Sequence, residues 1–170
     1  MSGPTRLSLL MLLFTASCTT AGTRAAGGAA PRPAGGPPRV AILELRMESL
    51  PPTLAEQLRS RLFRRLVSGD YRRVVAEQTT SQRIRELGLM RGCTVGPCLV
   101  QIGKQLGVER VVTGGITAVG SSYDVLLTLL ETGSGSLLGQ FSARCDVCTY
   151  QELESMIERA VVAVERQAGR

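Results

Sequence analysis

The sequence predicts an α/β domain of the α+β kind, a mixed sheet of about five strands in the order β-α-β-α-α-β-β-β-α with the helices packed on it. Three observations predict it. Val40-Ala41-Ile42-Leu43-Glu44-Leu45 is a near-continuous apolar run, which suits a strand covered on both faces. Tyr123 to Glu131 places Val125, Leu127 and Leu129 at the two-residue period of a half-buried strand. Leu153, Met156, Ile157, Ala160, Val161 and Val164 fall on one face at helical spacing.

The elements follow in order. After the first strand, Pro51 and Pro52 hold the chain extended, and Thr53 with Glu56 has the spacing of a capping box. Leu54, Leu58, Leu62 and Leu66, with Phe63 and Val67, form the apolar stripe of a first helix, and Gly69 is the expected left-handed stop. Arg73-Val74-Val75-Ala76 reads as a short strand. Thr79 to Ser81 can cap a second helix that turns Ile84, Leu87 and Met90 inward. Gly92 to Cys98 is a loop. Pro97 suits the first turn of a third helix, which carries Leu99, Ile102 and Leu106 inward and ends at Gly107. Val111-Val112-Thr113, Tyr123 to Glu131, and the strand through Leu137, Leu138 and Phe141 are joined by Gly120-Ser121-Ser122 and Gly133-Ser134-Gly135 as an antiparallel meander. Thr149 and Glu152 form a second capping box, opening the last helix.

The amino terminus sets the expected location. Arg6 precedes the apolar run Leu7 to Phe14, and the small residues Ala16 and Ser17 precede Cys18. This is the layout of a secretory signal, residues 1–17, whose removal leaves an amino-terminal cysteine to carry lipid. The run falls short of the roughly 20 apolar residues that span a bilayer. Residues 18–38 read as a lipid-anchored flexible tether. Thr19 to Pro38 holds only Thr, Ala, Gly, Arg and Pro, so it lacks any bulky apolar residue for a core. Such a linker covers about 25 Å root-mean-square. Residues 39–170 read as one periplasmic domain. Thr19, where an Asp would retain the chain in the inner membrane, points to the periplasmic side of the outer membrane.

Charge narrows the partners. Lys plus Arg is 20 against 14 acidic residues, and Lys104 is the one lysine. Arginine is densest from Arg59 to Arg91, where Arg64, Arg65, Arg72 and Arg73 are the candidate contacts to an envelope partner. The same residues also suit a solvated helix face. Nucleic acid is not an expected partner: the chain holds 3 Tyr, 3 Phe and no Trp, little surface for base stacking. Homo-oligomerisation is left open.

The chain has five cysteines and no histidine. With Cys18 acylated, Cys93, Cys98, Cys145 and Cys148 remain as disulfide candidates in an oxidising compartment. Three connectivities can be drawn. The chain-entropy model assigns about 2 kcal/mol to a small local ring and about 4 kcal/mol to a bridge closing about fifty residues. Stability alone therefore favours crossed bridges, while proximity favours 93–98 and 145–148. Two alternatives use the same sulfurs: a thiol-redox pair at Cys145-Asp146-Val147-Cys148, and a four-cysteine zinc site. Asp146 between two sulfurs disfavours a thiolate, and export oxidises zinc-binding thiols.

No catalytic constellation stands out. The missing histidine removes Ser-His-Asp and Cys-His arrangements and most catalytic zinc sites. No Walker loop and no Gly-x-Gly-x-x-Gly after a strand occurs. Glu44, near the end of the first strand, is a lone acid where α/β sheets place function, and without a partner it reads as a solvated strand-end residue. The expectation is a non-enzymatic protein with no cofactor and no metal.

Several blocks in order carry a family resemblance. They are Val40 to Leu45, Tyr71-Arg72-Arg73-Val74-Val75-Ala76-Glu77-Gln78, Ile84 to Leu89, Leu130 to Gly135 and, above all, Gly103-Lys104-Gln105-Leu106-Gly107-Val108-Glu109-Arg110-Val111-Val112-Thr113-Gly114-Gly115. Together they resemble the CsgG-type family of bacterial lipoproteins, which includes curli-secretion proteins and LpoB-type activators of penicillin-binding proteins. The resemblance covers about Arg39 to Ala168. It implies a fold similar to the amino-terminal domain of TolB and action by protein contact rather than chemistry, in assisting peptidoglycan synthesis, envelope assembly or secretion. The chain lacks the length for the membrane hairpins of a curli channel, so a secretion pore is not expected. The paired cysteines are not part of the family pattern.

Overall fold

The structure, a computed structural model, describes residues 37–69, 71, 73–89 and 96–169. The expected signal, Cys18, Arg72, Met90 and Cys93 lie outside the described residues, as does most of the expected tether. The elements are β1 (Arg39–Glu48), α1 (Pro52–Val67), β2 (Arg73–Val75), α2 (Glu77–Glu86), α3 (Gly96–Leu106), β3 (Arg110–Val119), β4 (Ser122–Glu131), β5 (Leu137–Asp146) and α4 (Tyr150–Ala168). Their order is the one the sequence predicts.

The strands form one sheet in the order β2-β1-β3-β4-β5. β2, β1 and β3 run parallel, while β3-β4-β5 is the predicted antiparallel meander. Helices cover both faces over the parallel half. On one face Val40, Ile42, Leu45, Val112, Val125, Leu127 and Leu129 pack against the buried stripes of α1 and α4. On the other, Ala41, Leu43, Val111 and Leu130 meet Leu99 and Ile102 of α3, with Ile84 of α2 beside them. This two-sided burial is why β1 reads as an unbroken apolar run and β4 as an alternating one.

Two glycines in the block Gly103 to Gly115 have visible jobs. Gly107, where the sequence ends the third helix, closes α3 in the left-handed conformation at φ 64°. Gly114 leaves no room for a side chain against the Leu126 carbonyl of β4. Beside it β1 bulges: Leu43 and Glu44 stand against Thr113 alone, between the pairs Ile42–Val112 and Leu45–Gly114.

The last helix matches its prediction in full. Thr149 accepts from the Glu152 N–H, and the Glu152 carboxylate accepts from the Thr149 N–H at 2.8 Å. All six predicted apolar residues of α4 are buried.

Four local expectations are corrected. Helix α1 begins at Pro52 with Pro51 as its N-cap, so Thr53 already lies inside the first turn and caps nothing. A proline tolerates the first helical position because that N–H has no partner there, and here it moves the boundary forward. Gly69 is not left-handed; α1 ends on Ser68 in a right-handed conformation, and Gly69 is kept small by the Glu165 side chain. Helix α2 starts at Glu77, capped by Ala76, which leaves Thr80 buried within the helix rather than at its cap. Leu87 and Val67 are exposed, because both sit where their helix ends and its apolar face has left the sheet.

Candidate interaction surface

Helix α1 buries Ala55, Leu58, Leu62 and Leu66, which leaves its arginines on the flanks of that stripe. Two of them tie α1 to α4: Arg61 reaches Glu158 at 2.8 Å and Arg65 reaches Glu165 at 3.6 Å. Arg64 is exposed and makes no ion pair among the described residues. Arg73 is exposed at the start of β2, in register with Arg39 of β1. Of the predicted contacts, then, Arg65 is half-buried in a helix–helix pair, while Arg64 and Arg73, from separate elements, are exposed and make no ion pair among the described residues.

Arg64 borders a groove between α1 and α4. Both helices follow parallel-running strands, so their amino termini lie at one end of the sheet. An open groove of about 940 Å³ runs along α1 from Pro52 and Glu56 through Ser60 and Phe63 to Arg64 in its last turn, and is bordered by Tyr150 and Glu154 at the start of α4. The Tyr150 hydroxyl donates to Glu154 Oε1 at 2.8 Å. That bond, then burial, and then the neighbouring carboxylate charge raise the phenol's pKa. Tyr150 is 39% exposed, an aromatic ring held at a groove mouth. Aromatic and arginine side chains around a shallow apolar floor are the composition from which protein-binding hot spots are drawn. Sequence reasoning picked out Arg64 and missed Tyr150. The residue was legible as the first position of α4, but only the packing of α4 beside α1 brings the two together.

A second cleft, of about 440 Å³, opens at the carboxyl ends of the parallel strands between α1 and α2. Its central group is Glu77; Glu44 lies exposed on the β1 bulge, the solvated strand-end acid the sequence suggests. The Leu45 N–H donates to Glu77 Oε1 at 3.2 Å, Arg59 Nη2 donates to the Leu45 carbonyl at 3.3 Å, and Arg59 Nε lies 3.3 Å from Glu77 Oε2. Desolvation is the largest influence on Glu77 and raises its pKa, against the Leu45 hydrogen bond and the Arg59 charge. One oxygen takes the Leu45 N–H and the other only faces the Arg59 guanidinium, so this carboxylate ties α2 to β1. Its sequence signal was an acid placed directly after a strand and at a helix start.

The three described cysteines, Cys98, Cys145 and Cys148, are disulfide-bonded. Cys145, at the end of β5, is bonded to Cys148, just before the α4 cap, with Cα atoms 5.8 Å apart. Cys98 is also in a disulfide. The 145–148 ring is the local pairing, and it excludes any bridge from this pair to Cys93 or Cys98. A bonded sulfur is no thiolate, so in this state none of the three can hold zinc. Among the described residues no group of three Cys, Asp, Glu or His side chains is placed to hold a metal. Asp146, inside the ring, has a lowered pKa because the Ser122 hydroxyl and then Arg144 bond to it. No described helix is long and apolar enough to cross a membrane.

No family model matches the sequence, and no curated protein does. Solved structures do resemble the fold. Lipoprotein GNA1162 from Neisseria meningitidis superposes with a TM-score of 0.54 at 17% identity, over 79% of this chain and 98% of that one. The LpoB C-terminal domain from Salmonella enterica superposes with a TM-score of 0.50 at 16% identity, over 67% of this chain and 87% of that one. The fold is LpoB-like.

Proposed function

We propose that this chain is a non-enzymatic, lipid-anchored protein of a bacterial envelope that acts by docking a partner protein at the α1–α4 groove. The observation that carries the reading is the groove itself: Tyr150, at the start of α4, lies with Phe63 and the exposed Arg64, late in α1, around one recognition surface. The signal and Cys18 support export and acylation. Thr19 after the cysteine supports the periplasmic side of the outer membrane. The LpoB-like fold and the CsgG-type block Gly103 to Gly115 support a role in assisting envelope assembly, with a peptidoglycan synthase or a secretion complex as the partner. Arg65, Arg72 and Arg73 are the further contact candidates.

Two experiments test it. Cells fed labelled palmitate should label the protein, and Cys18→Ala should abolish the label and release the chain from membranes; an unlabelled wild type removes the anchor. Crosslinking and purification from intact cells should recover one defined envelope protein with the wild type. Arg64→Ala with Tyr150→Ala should lose it while folding normally; undiminished recovery removes the groove.

A further inference from the structure

We propose that the free half of the β5 edge is a self-association site, on which a second copy of this chain pairs its own β5 antiparallel about a two-fold axis at Arg144. β5 is a ten-residue strand at the border of the sheet. Its pairing with β4 runs without a shift from Ser122–Asp146 to Leu129–Gly139, which decides where each backbone group points. The Gln140 N–H donates to Gln167 Oε1 at 2.9 Å, and Gln167 Nε2 donates to the Gln140 carbonyl at 3.1 Å. Gln140 therefore faces away from β4, and by strand alternation so do the N–H and C=O groups of Ser142, Arg144 and Asp146. Among the described residues nothing bonds to these six groups.

The occupant follows from chemistry and length. The carboxamide of Gln167 is a single peptide-like group seated where a neighbouring strand's peptide would sit, so the edge accepts amides. Gln167 closes one end of the free stretch. At the other end Val147, at φ 55°, turns the chain away and gives its N–H to the Ser121 carbonyl. Between these limits one antiparallel register uses all three free positions. It sets Ser142 opposite the partner's Asp146, Arg144 opposite the partner's Arg144, and Asp146 opposite the partner's Ser142. A slip one way would displace Gln167, and a slip the other way would run into the Val147 turn. The two arginines at the axis do not repel as bare charges. Each lies 3.5 Å from Asp124 and 3.1 Å from Asp146 of its own chain, with the partner's Asp146 as diagonal neighbour. An interface of this length falls in the small, transient class. The inference does not depend on the acyl anchor or on the groove.

Sedimentation velocity of the full chain in detergent tests it. A concentration-dependent dimer should appear by roughly 100 µM, the range of a small interface, and a synthetic peptide of residues 140–147 should dissolve it. Ser142→Pro removes an N–H that β4 does not use, so the monomer should keep its circular dichroism and its melting. Two hydrogen bonds are lost per dimer, and association should weaken about tenfold. Gln167→Ala, which frees the next position, should strengthen it. A chain that stays monomeric, or a dimer indifferent to both Ser142→Pro and the peptide, overturns the proposal.

Discussion

The sheet has two borders, and they are closed by opposite means. On one side β2 is three residues long and pairs only with Arg39 to Ala41, so among the described residues the rest of β1 has no strand on that side. There the Glu77–Arg59 ion pair bonds both backbone groups of Leu45 from a half-buried cleft. On the other side a neutral, exposed Gln167 bonds both backbone groups of Gln140 and leaves the rest of β5 open. The charged plug carries a desolvation cost, visible in the raised Glu77 pKa. In return, any strand displacing it would have to strip two charges of their partners. The neutral plug costs little to form and little to displace. One border is thus shut and the other can still exchange partners, although both meet the same requirement that edge backbone groups be satisfied or shielded.

Several variants break or sharpen that contrast. Glu77→Ala leaves the Arg59 charge in the cleft and the Leu45 N–H without an acceptor. It should cost roughly 3 kcal/mol in urea unfolding, at the low end for a broken buried pair because Arg59 keeps part of its exposure. A loss equal to that of Gln167→Ala would erase the distinction. Glu77→Gln keeps an oxygen for Leu45 and removes the charge. Between the free-carboxyl value of 4.5 and its higher folded value, Glu77 holds its proton more tightly folded than unfolded. Wild-type stability should therefore lose a contribution as pH rises through that window, and the Gln variant should not show that loss. Equal pH slopes for the two proteins would refute the assignment.

Smaller effects lie on the β5 side. A methyl at Gly139 would sit 2.6 Å from the Val164 carbonyl of α4, so Gly139→Ala should push the helix off the strand and cost about 2 kcal/mol. Thr149→Ala removes one arm of the α4 capping box and should cost about 1 kcal/mol by thermal melting. Gln167→Ala, with both bonds exposed, should cost about 0.5 kcal/mol or less; a larger loss would mean that Gln167 holds α4 in place as well as closing the edge.

Much of this fold was legible in the chain. The α4 stripe and its Thr149–Glu152 box appear as predicted because both are relations between residues within about a turn of one another. The Val125–Leu127–Leu129 alternation is equally local, set by the strand's pleat. Local reading failed at Thr53 and Thr79, where an adjacent proline or an earlier acid claimed the helix start. It failed again at Leu87, where apolar spacing outlasted the helix. The candidate surface was half legible. Arg64 stood out as one of a dense arginine run, but nothing within α1 distinguishes it from Arg61 and Arg65. Glu158 and Glu165, almost a hundred residues away, decide which guanidinium groups are engaged.

The order of the elements, the caps of the last helix and the faces of the strands were determined by the sequence alone, since each is written in spacings of two to four residues. Strand order, the burial of Glu77 rather than Glu44, the meeting of Tyr150 with Arg64, and the open stretch of β5 were decided only by tertiary structure. The reason is that a backbone or charged group's partner depends on which distant segment packs beside it, and hydrophobic periodicity says which side is buried without saying against what.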